Sequence, residues 1–335
     1  MNVSLKQVAS RAGVSMSTVS RVLSGDERAQ IARETQATVR RAAEELGYRP
    51  NRFARSLITG RTQTIGLMIS RLDNPFFVTL MEHAEEAAKE AGYNVLIDAD
   101  GSVAEEYAVS GRLMDWPVDG ILMWTWSDRH LVEFIGARAE RTPVVYICEQ
   151  PRADGNGCVS YDLLGGAELL ARHALSKGYQ RPAHLVPYAA GDWVRPDARA
   201  EVYRECCEAA GLTLTTIVLT KKAETREAGF LTGLELATLP ELLRPDLLFC
   251  HNDVVAVGLY HGLLRGGVRV PEDVALVGFD GIDEGRFLDR RLTTVEIPIA
   301  EIGRRAAQML IAELGGQTGL RSVIVPPSLV MGETV

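Results

Sequence analysis

No apolar run in this 335-residue chain approaches the ~20 residues that a bilayer-spanning helix needs, so a helical membrane protein is excluded. The five cysteines (Cys148, Cys158, Cys206, Cys207 and Cys250) include no CxxC pair and no metal-ligand spacing. They read as free buried thiols in a reducing compartment, with no disulfide framework and no metal site. Catalytic signatures are missing as well: no GxxxxGK[ST], HExxH or GxSxG occurs. Glu149 beside Cys148 is the one suggestive pair, and it has no histidine next to it. No catalytic residue, metal or cofactor is therefore expected. Met1 is not followed by a basic and then apolar leader, so secretion is not expected and the cytoplasm is the anticipated location. Positive charge is in short supply overall: the net of −8 taken alone speaks against nucleic acid.

The distribution of that charge points the other way. Residues 1–61 hold eleven Lys/Arg against five Asp/Glu, a net of +6, which leaves −14 for the remainder. A cationic head on an anionic body concentrates phosphate attraction in one module. Composition is otherwise that of a globular chain, with 46% hydrophobic and 24% charged residues. The length allows two or three domains.

Within the basic head, Ser4 and Gln7 form the pattern of a capping box, and Leu5, Val8, Ala9 and Ala12 make an apolar stripe. Gly13 ends this helix, where a left-handed backbone is cheap for glycine. Ser15 caps a second helix with Val19, Val22 and Leu23 inward and Met16, Ser17, Ser20 and Arg21 outward. Two helices around such a turn make a helix-turn-helix, whose second helix enters the major groove. Arg21 has the fork that pairs with guanine, and Met16 suits apolar contact with a thymine methyl. Ser17, Thr18 and Ser20 can bond a base or a phosphate. A third helix is predicted from Ile31 to Leu46, closed by Gly47 and stopped by Pro50. The arginine-rich segment that follows contains Asn51, Ala54, Arg55 and Leu57 and is too short for a stable isolated helix. Leu57 reads either as a minor-groove wedge or as a residue packed on the body.

From residue 64, short strands (IGLMIS, YNVLID, DGILMW, VVYIC, AHLVP, LTTIVL, LLFCH, VALVGF) alternate with helices at 75–91, 165–176, 197–210 and 254–266. This predicts an α/β body of parallel sheets covered on both faces, with enough chain for two such layers. Ligands of open α/β sheets bind beyond the carboxyl ends of strands. Candidate ligand residues there are Asn74, Phe76, Phe77, Trp124, Trp126, Glu149, Asn252 and Asp280, with Trp193 and Arg199. The aromatics offer faces and the polar residues offer donors and acceptors, which suits a ligand bearing several hydroxyls.

These residues resemble the LacI/GalR, or lac-repressor type, family of bacterial regulators over nearly the whole chain. The head carries LKQVA (5–9), AGVS (12–15), STVSRVL (17–23), ELGYRPN (45–51) and ARSL (54–57). The body carries DNPFF (73–77), DG (119–120), Asp162, Gly166, His173 and Gly178, ND (252–253), VPEDVALVGFDG (270–281) and LTTV (292–295). The resemblance implies a homodimeric repressor of palindromic operator DNA. Its body would resemble periplasmic sugar-binding proteins, with two doubly wound subdomains joined by three crossovers around one small effector. It further implies that Met16, Ser17 and Arg21 read bases, that Leu57 wedges into a central CpG step, and that Asn74, Phe76, Phe77, Arg199, Asn252 and Asp280 line the cleft. The implied domains are a head at 1–50, a hinge helix segment at 51–61 and a body at 62–335. Within the body, one subdomain spans about 62–160 and 291–322, and the other about 161–290 and 323–335.

The chain departs from sugar-binding relatives at Cys148-Glu149, where they often carry Asp-Arg, at Ile297, where many have glutamine, and in its bulky Trp124, Trp126 and Trp193. A sugar or sugar derivative is the first expectation for the effector and a nucleobase or nucleoside the alternative. No heptad tail follows residue 330, so a dimer is expected rather than a tetramer. A sugar-processing enzyme and a secreted solute-binding protein are the rival classes. The first lacks a nucleophile–base pair, and the second is opposed by the basic head.

Overall fold

The structure is a computed structural model that describes residues 3–24, 29–48, 60–69, 71–99, 117–125, 142–149, 157–187, 197–220, 224–317, 319 and 322–335. It divides into two compact units, Met1–Gln63 and Thr64–Val335.

Among the described residues the first unit has three helices: α1 (Leu5–Ala12), α2 (Met16–Ser24) and α3 (Arg33–Glu45). The Ser4–Gln7 capping box forms in full, with the Ser4 backbone N–H donating to Gln7 Oε1 at 2.8 Å. Gly13 takes the left-handed conformation, φ 67°, that turns the chain sharply into α2. Ser15 caps α2 by accepting the Thr18 backbone N–H at 3.1 Å. Val8, Val19 and Val39 meet at the centre, fully buried, with Ala9, Val22, Ala42 and Ala43 around them. The Arg11–Glu45 pair at 2.7 Å ties α1 to α3, but both partners are exposed and contribute at most about 1 kcal/mol. The valine core therefore holds the unit together. The third helix is two residues shorter at its start than the periodicity predicts, because Ala32 offers no side-chain cap.

The second unit is the predicted α/β body. Its first sheet contains β1 (Thr64–Ile69), β2 (Asn94–Ala99), β3 (Gly120–Thr125), β4 (Val144–Cys148) and β5 (Cys158–Tyr161), with α4 (Pro75–Glu90) leading from β1 to β2. Then follow α5 (Leu163–Leu175), β6 (Pro182–Val186), α6 (Ala198–Ala209), β7 (Thr215–Val218), α7 (Arg226–Thr238), β8 (Leu247–Phe249), α8 (Asp253–Arg265) and β9 (Ala275–Val277). The chain ends with β10 (Thr294–Glu296), α9 (Ile299–Leu314), β11 (Val323–Val325) and β12 (Ser328–Val330). Two parallel sheets result, ordered β11-β5-β4-β3-β1-β2 and β7-β6-β8-β9. In each, the first strand of the sheet lies between the second and the third, so neighbouring connections leave in opposite directions and open a crevice at the carboxyl ends.

Strands β10 and β12 pair antiparallel outside both sheets. Strand β11 pairs with β5 and so extends the first sheet, whereas the sequence pattern places the start of the second subdomain at residue 323. The return to the second lobe comes a few residues later, where Leu276 N donates to Thr334 O. Helices α7 and α8 cross with almost no side chain between them: a Cβ on Gly258 would collide with the Arg226 carbonyl, and one on Gly262 with that of Phe230. Small residues at these positions are thus a packing requirement.

Candidate nucleic-acid interface and effector cleft

Helix α2 separates its faces cleanly. Val19 and Val22 are buried, whereas Met16, Ser17, Ser20 and Arg21 are exposed, Met16 by 51%. An apolar side chain as open as Met16 at the start of a helix is available for contact with a base methyl. Ser15 Oγ lies 2.7 Å from Ser17 Oγ and 2.9 Å from Thr18 Oγ1. These hydroxyls pre-order the first turn, and Thr18 is half-buried.

In the body, the loops that follow strands converge. Asn74 caps α4, its Oδ1 accepting Phe76 N at 3.0 Å. Asn252 caps α8, accepting Val255 N at 2.9 Å. Both caps are buried, so each amide is fixed by its own helix. Asp280 follows β9 at φ 117°, a backbone that side chains rarely adopt. Its loop is pinned by the fully buried Asp253, whose Oδ2 accepts Gly281 N at 2.7 Å and Ile282 N at 2.9 Å, while Oδ1 accepts Thr294 Oγ1 at 2.6 Å. Burial, followed by the nearby Asp253 charge, pushes the Asp280 carboxyl well above the ordinary range. Burial likewise lifts Asp253, to about 6, against its hydrogen bonds.

Arg199 is buried in the same region and lies over the Phe279 ring at 4.7 Å. Its Nε and Nη2 donate to Asp197 Oδ1 and Oδ2 at 2.8 and 2.9 Å. His251 Nδ1 lies 3.0 Å from Asp197 Oδ2, and its Nε2 lies 3.4 Å from Glu224 Oε1. Burial opposes charge on His251, but the Glu224 carboxylate and the bond to Asp197 outweigh it and raise its pKa to about 9. Nδ1 is also 3.0 Å from Arg199 Nη2. With the ring protonated, Nδ1–H donates to Asp197, which then bridges two cations. Glu149 is buried at the end of β4, and its charge reaches both Arg199 and Tyr161. A cavity of about 420 Å³ is lined by Phe76, Thr79, Asp280, Glu296, Ile297 and Arg304 among others, and by none of Asp197, Arg199, His251, Glu224 and Glu149. No group of metal ligands occurs among the described residues.

Residues 4–51 match the bacterial regulatory proteins of the lacI family, and residues 171–335 a periplasmic binding protein-like domain. The chain is 32% identical over 308 residues to the ribose operon repressor of Escherichia coli K12, covering 92% of each chain. The chain belongs to the lacI family. It is accordingly a DNA-binding regulator and not an enzyme. Among solved structures, a transcriptional regulator CelR–cellobiose complex matches with a TM-score of 0.66 at 27% identity, covering 100% of both chains. The lac repressor dimer bound to operator and the anti-inducer ONPF shares the fold, with a TM-score of 0.83 at 22% identity over 100% of this chain and 99% of that one.

Within this lacI-family framework the predicted residues fall into three groups. Met16, Ser17, Ser20 and Arg21 share the open face of α2. Asn74, Phe76, Glu149, Arg199, Asn252 and Asp280 stand at strand ends or helix starts around the crevice. Phe77 and Trp124, 3% and 4% exposed, pack edge-on at 5.1 Å in a core cluster that also holds Tyr161 and Phe76, itself 4% exposed. Asn51, Ala54, Arg55, Leu57, Trp126 and Trp193 lie outside the described residues. Sequence patterns alone do not single out Asp197, Glu224 and His251. For two of them a signal is proximity, since Asp197 stands two residues before Arg199 and His251 immediately before Asn252.

Proposed function

We propose that the chain is a cytoplasmic, homodimeric repressor that binds a palindromic operator and is controlled by a sugar or sugar derivative held in the crevice of the body. The observation that carries this reading is the open face of α2, where Met16, Ser17, Ser20 and Arg21 face outward over a closed valine core. Residues 1–50 act as the reading head, 51–61 as the hinge and 62–335 as the sensing and pairing body. Each protomer presents one α2 to one half-site, so protein and DNA share a two-fold axis. Arg21 pairs with a guanine, Met16 lies against a thymine methyl, and the hydroxyls of Ser17 and Ser20 fix the helix on base or phosphate.

In the body, Asn74, Arg199, Asn252 and Asp280 read the effector's hydroxyls, and Phe76 covers an apolar face. The effector shifts operator affinity through its unequal affinity for two arrangements of the lobes. A carbohydrate is supported by the ribose operon repressor and by the cellobiose complex, both similar over more than nine-tenths of the chain. The dimer is supported by the fold shared with the operator-bound lac repressor.

The test is selection of duplexes from a random pool, followed by fluorescence anisotropy against rising salt, with and without a carbohydrate panel. A palindromic consensus whose affinity changes with one sugar is expected. Selection of no consensus at low salt overturns the reading.

A further inference from the structure

Arg199 is neutralised before any ligand arrives. Asp197 occupies one edge of its guanidinium, through Nε and Nη2, in a bidentate pair, and the side chains of both are only 7% exposed. The backbone locks Asp197 in place, because Oδ1 also accepts Arg199 N at 3.0 Å as the cap of α6. On its other side Asp197 holds His251, which Glu224 flanks in turn. His184 Nε2 lies 3.4 Å from Asp197 Oδ2, but burial lowers its pKa and leaves the ring uncharged. Arg71 adds positive potential at Glu224 but is itself paired, donating to Asp73 at 2.7 Å. Among the described residues, Asp197 and Glu224 therefore balance the two buried cations, Arg199 and His251, one for one. Glu149 stands in the position where related regulators often carry arginine, and its charge acts on Arg199 in the same sense as that of Asp197. Burial would raise the Asp197 carboxyl, yet Arg199 and the two histidines hold it well below its ordinary range, so the carboxylate is charged.

We infer that Asp197 is a specificity-determining residue that makes the crevice select uncharged hydroxylated effectors and reject phosphorylated or carboxylated ones. The inference rests on the reading of the crevice as the effector site. A free arginine binds phosphate or carboxylate through its fork, with two parallel hydrogen bonds. Here the Nε–Nη2 fork is filled by Asp197, which leaves the Nη1 side as the donor to a ligand's hydroxyls. An anion entering the site must displace a fixed carboxylate or approach a guanidinium whose charge is already balanced, and a buried unpaired charge is costly.

The experiment is thermal unfolding of the full chain with ribose, glucose and cellobiose, and with ribose 5-phosphate, glucose 6-phosphate, glucuronate and inorganic phosphate. Ligands that bind the native state raise the melting temperature. A neutral sugar is expected to raise it, with its anionic derivative without effect at a tenfold higher concentration. Asp197→Asn keeps a capping oxygen but frees the guanidinium fork. It is expected to gain a response to ribose 5-phosphate or inorganic phosphate and to lose at least tenfold in affinity for the neutral sugar. Glu201→Gln, at an exposed pair with Arg204 on the same helix, is expected to change neither. A phosphorylated or carboxylated sugar binding the wild type more tightly than its neutral parent overturns this inference and leaves the carbohydrate reading standing. Silence from every carbohydrate overturns both. An Asp197→Asn protein that folds and still ignores anions removes Asp197 from the role. The wild-type comparison decides the matter if that variant does not fold.

Discussion

His251 makes stability depend on pH in a window where few other groups titrate. Its ring bonds to Asp197 at 3.0 Å and lies 3.4 Å from Glu224, and its side chain is 12% exposed. Despite burial, the Glu224 field and these contacts raise its pKa from 6.5 to about 9. The folded chain therefore holds this proton more tightly than the unfolded chain. The stabilisation is fully present below pH 6.5 and is lost as pH rises through about 9. A displacement of that size corresponds to roughly 3 kcal/mol. For a unit of this length it lowers the melting temperature by about 6–10 °C. The assay is thermal unfolding by circular dichroism from pH 6 to pH 9, for the wild type and His251→Gln. The wild type is expected to fall by that amount relative to the variant, and the two curves to converge near pH 9. Cys207, raised to about 11 by burial, adds a loss only above pH 9, and does so in both proteins. Parallel wild-type and variant curves across the window would refute the charged His251 and, with it, the bridging role of Asp197.

Three further outcomes follow from the geometry. Gly258→Ala drives a methyl into the Arg226 carbonyl at the α7–α8 crossing and should cost about 3 kcal/mol or more, read as a lower denaturant midpoint. Asp253→Ala strips the partners from Gly281 N, Ile282 N and the Thr294 hydroxyl. A loss of about 3 kcal/mol or more is expected, with weaker effector binding as the Asp280 loop loosens, and an unchanged melting curve would contradict it. Arg21→Ala should remove base preference at one operator position, worth about 1–3 kcal/mol, while leaving the other positions intact in a binding selection.

Much of the fold is legible wherever the determining contacts are local. The Ser4–Gln7 box, the Gly13 turn and the Val8–Val19–Val39 core all lie within one short stretch, and each leaves a periodic or capping trace. Strands β1, β3 and β4 announce themselves as near-continuous apolar runs because both faces of their sheet are covered. Strands β10, β11 and β12 do not. Each is three residues long and owes its existence to a partner far away, as when Thr294 pairs with Val330. The site shows the same division. Position after a strand singles out Asn252 and Asp280, but the Asp197–His251–Glu224 chain joins three separate loops and has no period. The aromatics leave no trace of their packing either: Phe76, Phe77 and Trp124 stand near strand ends, and all three are buried edge-on against one another.

The pairing of β10 with β12 matters beyond its six residues. The polypeptide passes between the lobes three times: near 161–163, through β10 into α9, and from β11 into β12. The latter two passages are bonded to each other along Thr294–Val330, Val295–Leu329 and Glu296–Ser328. Two threads laced side by side bend like a strap but resist twisting, and the third prevents the lobes from sliding sideways. Of the motions open to the lobes, a jaw-like opening and closing is the one these connections oppose least. Whatever binds between the lobes can send outward a single message: how wide the jaw stands.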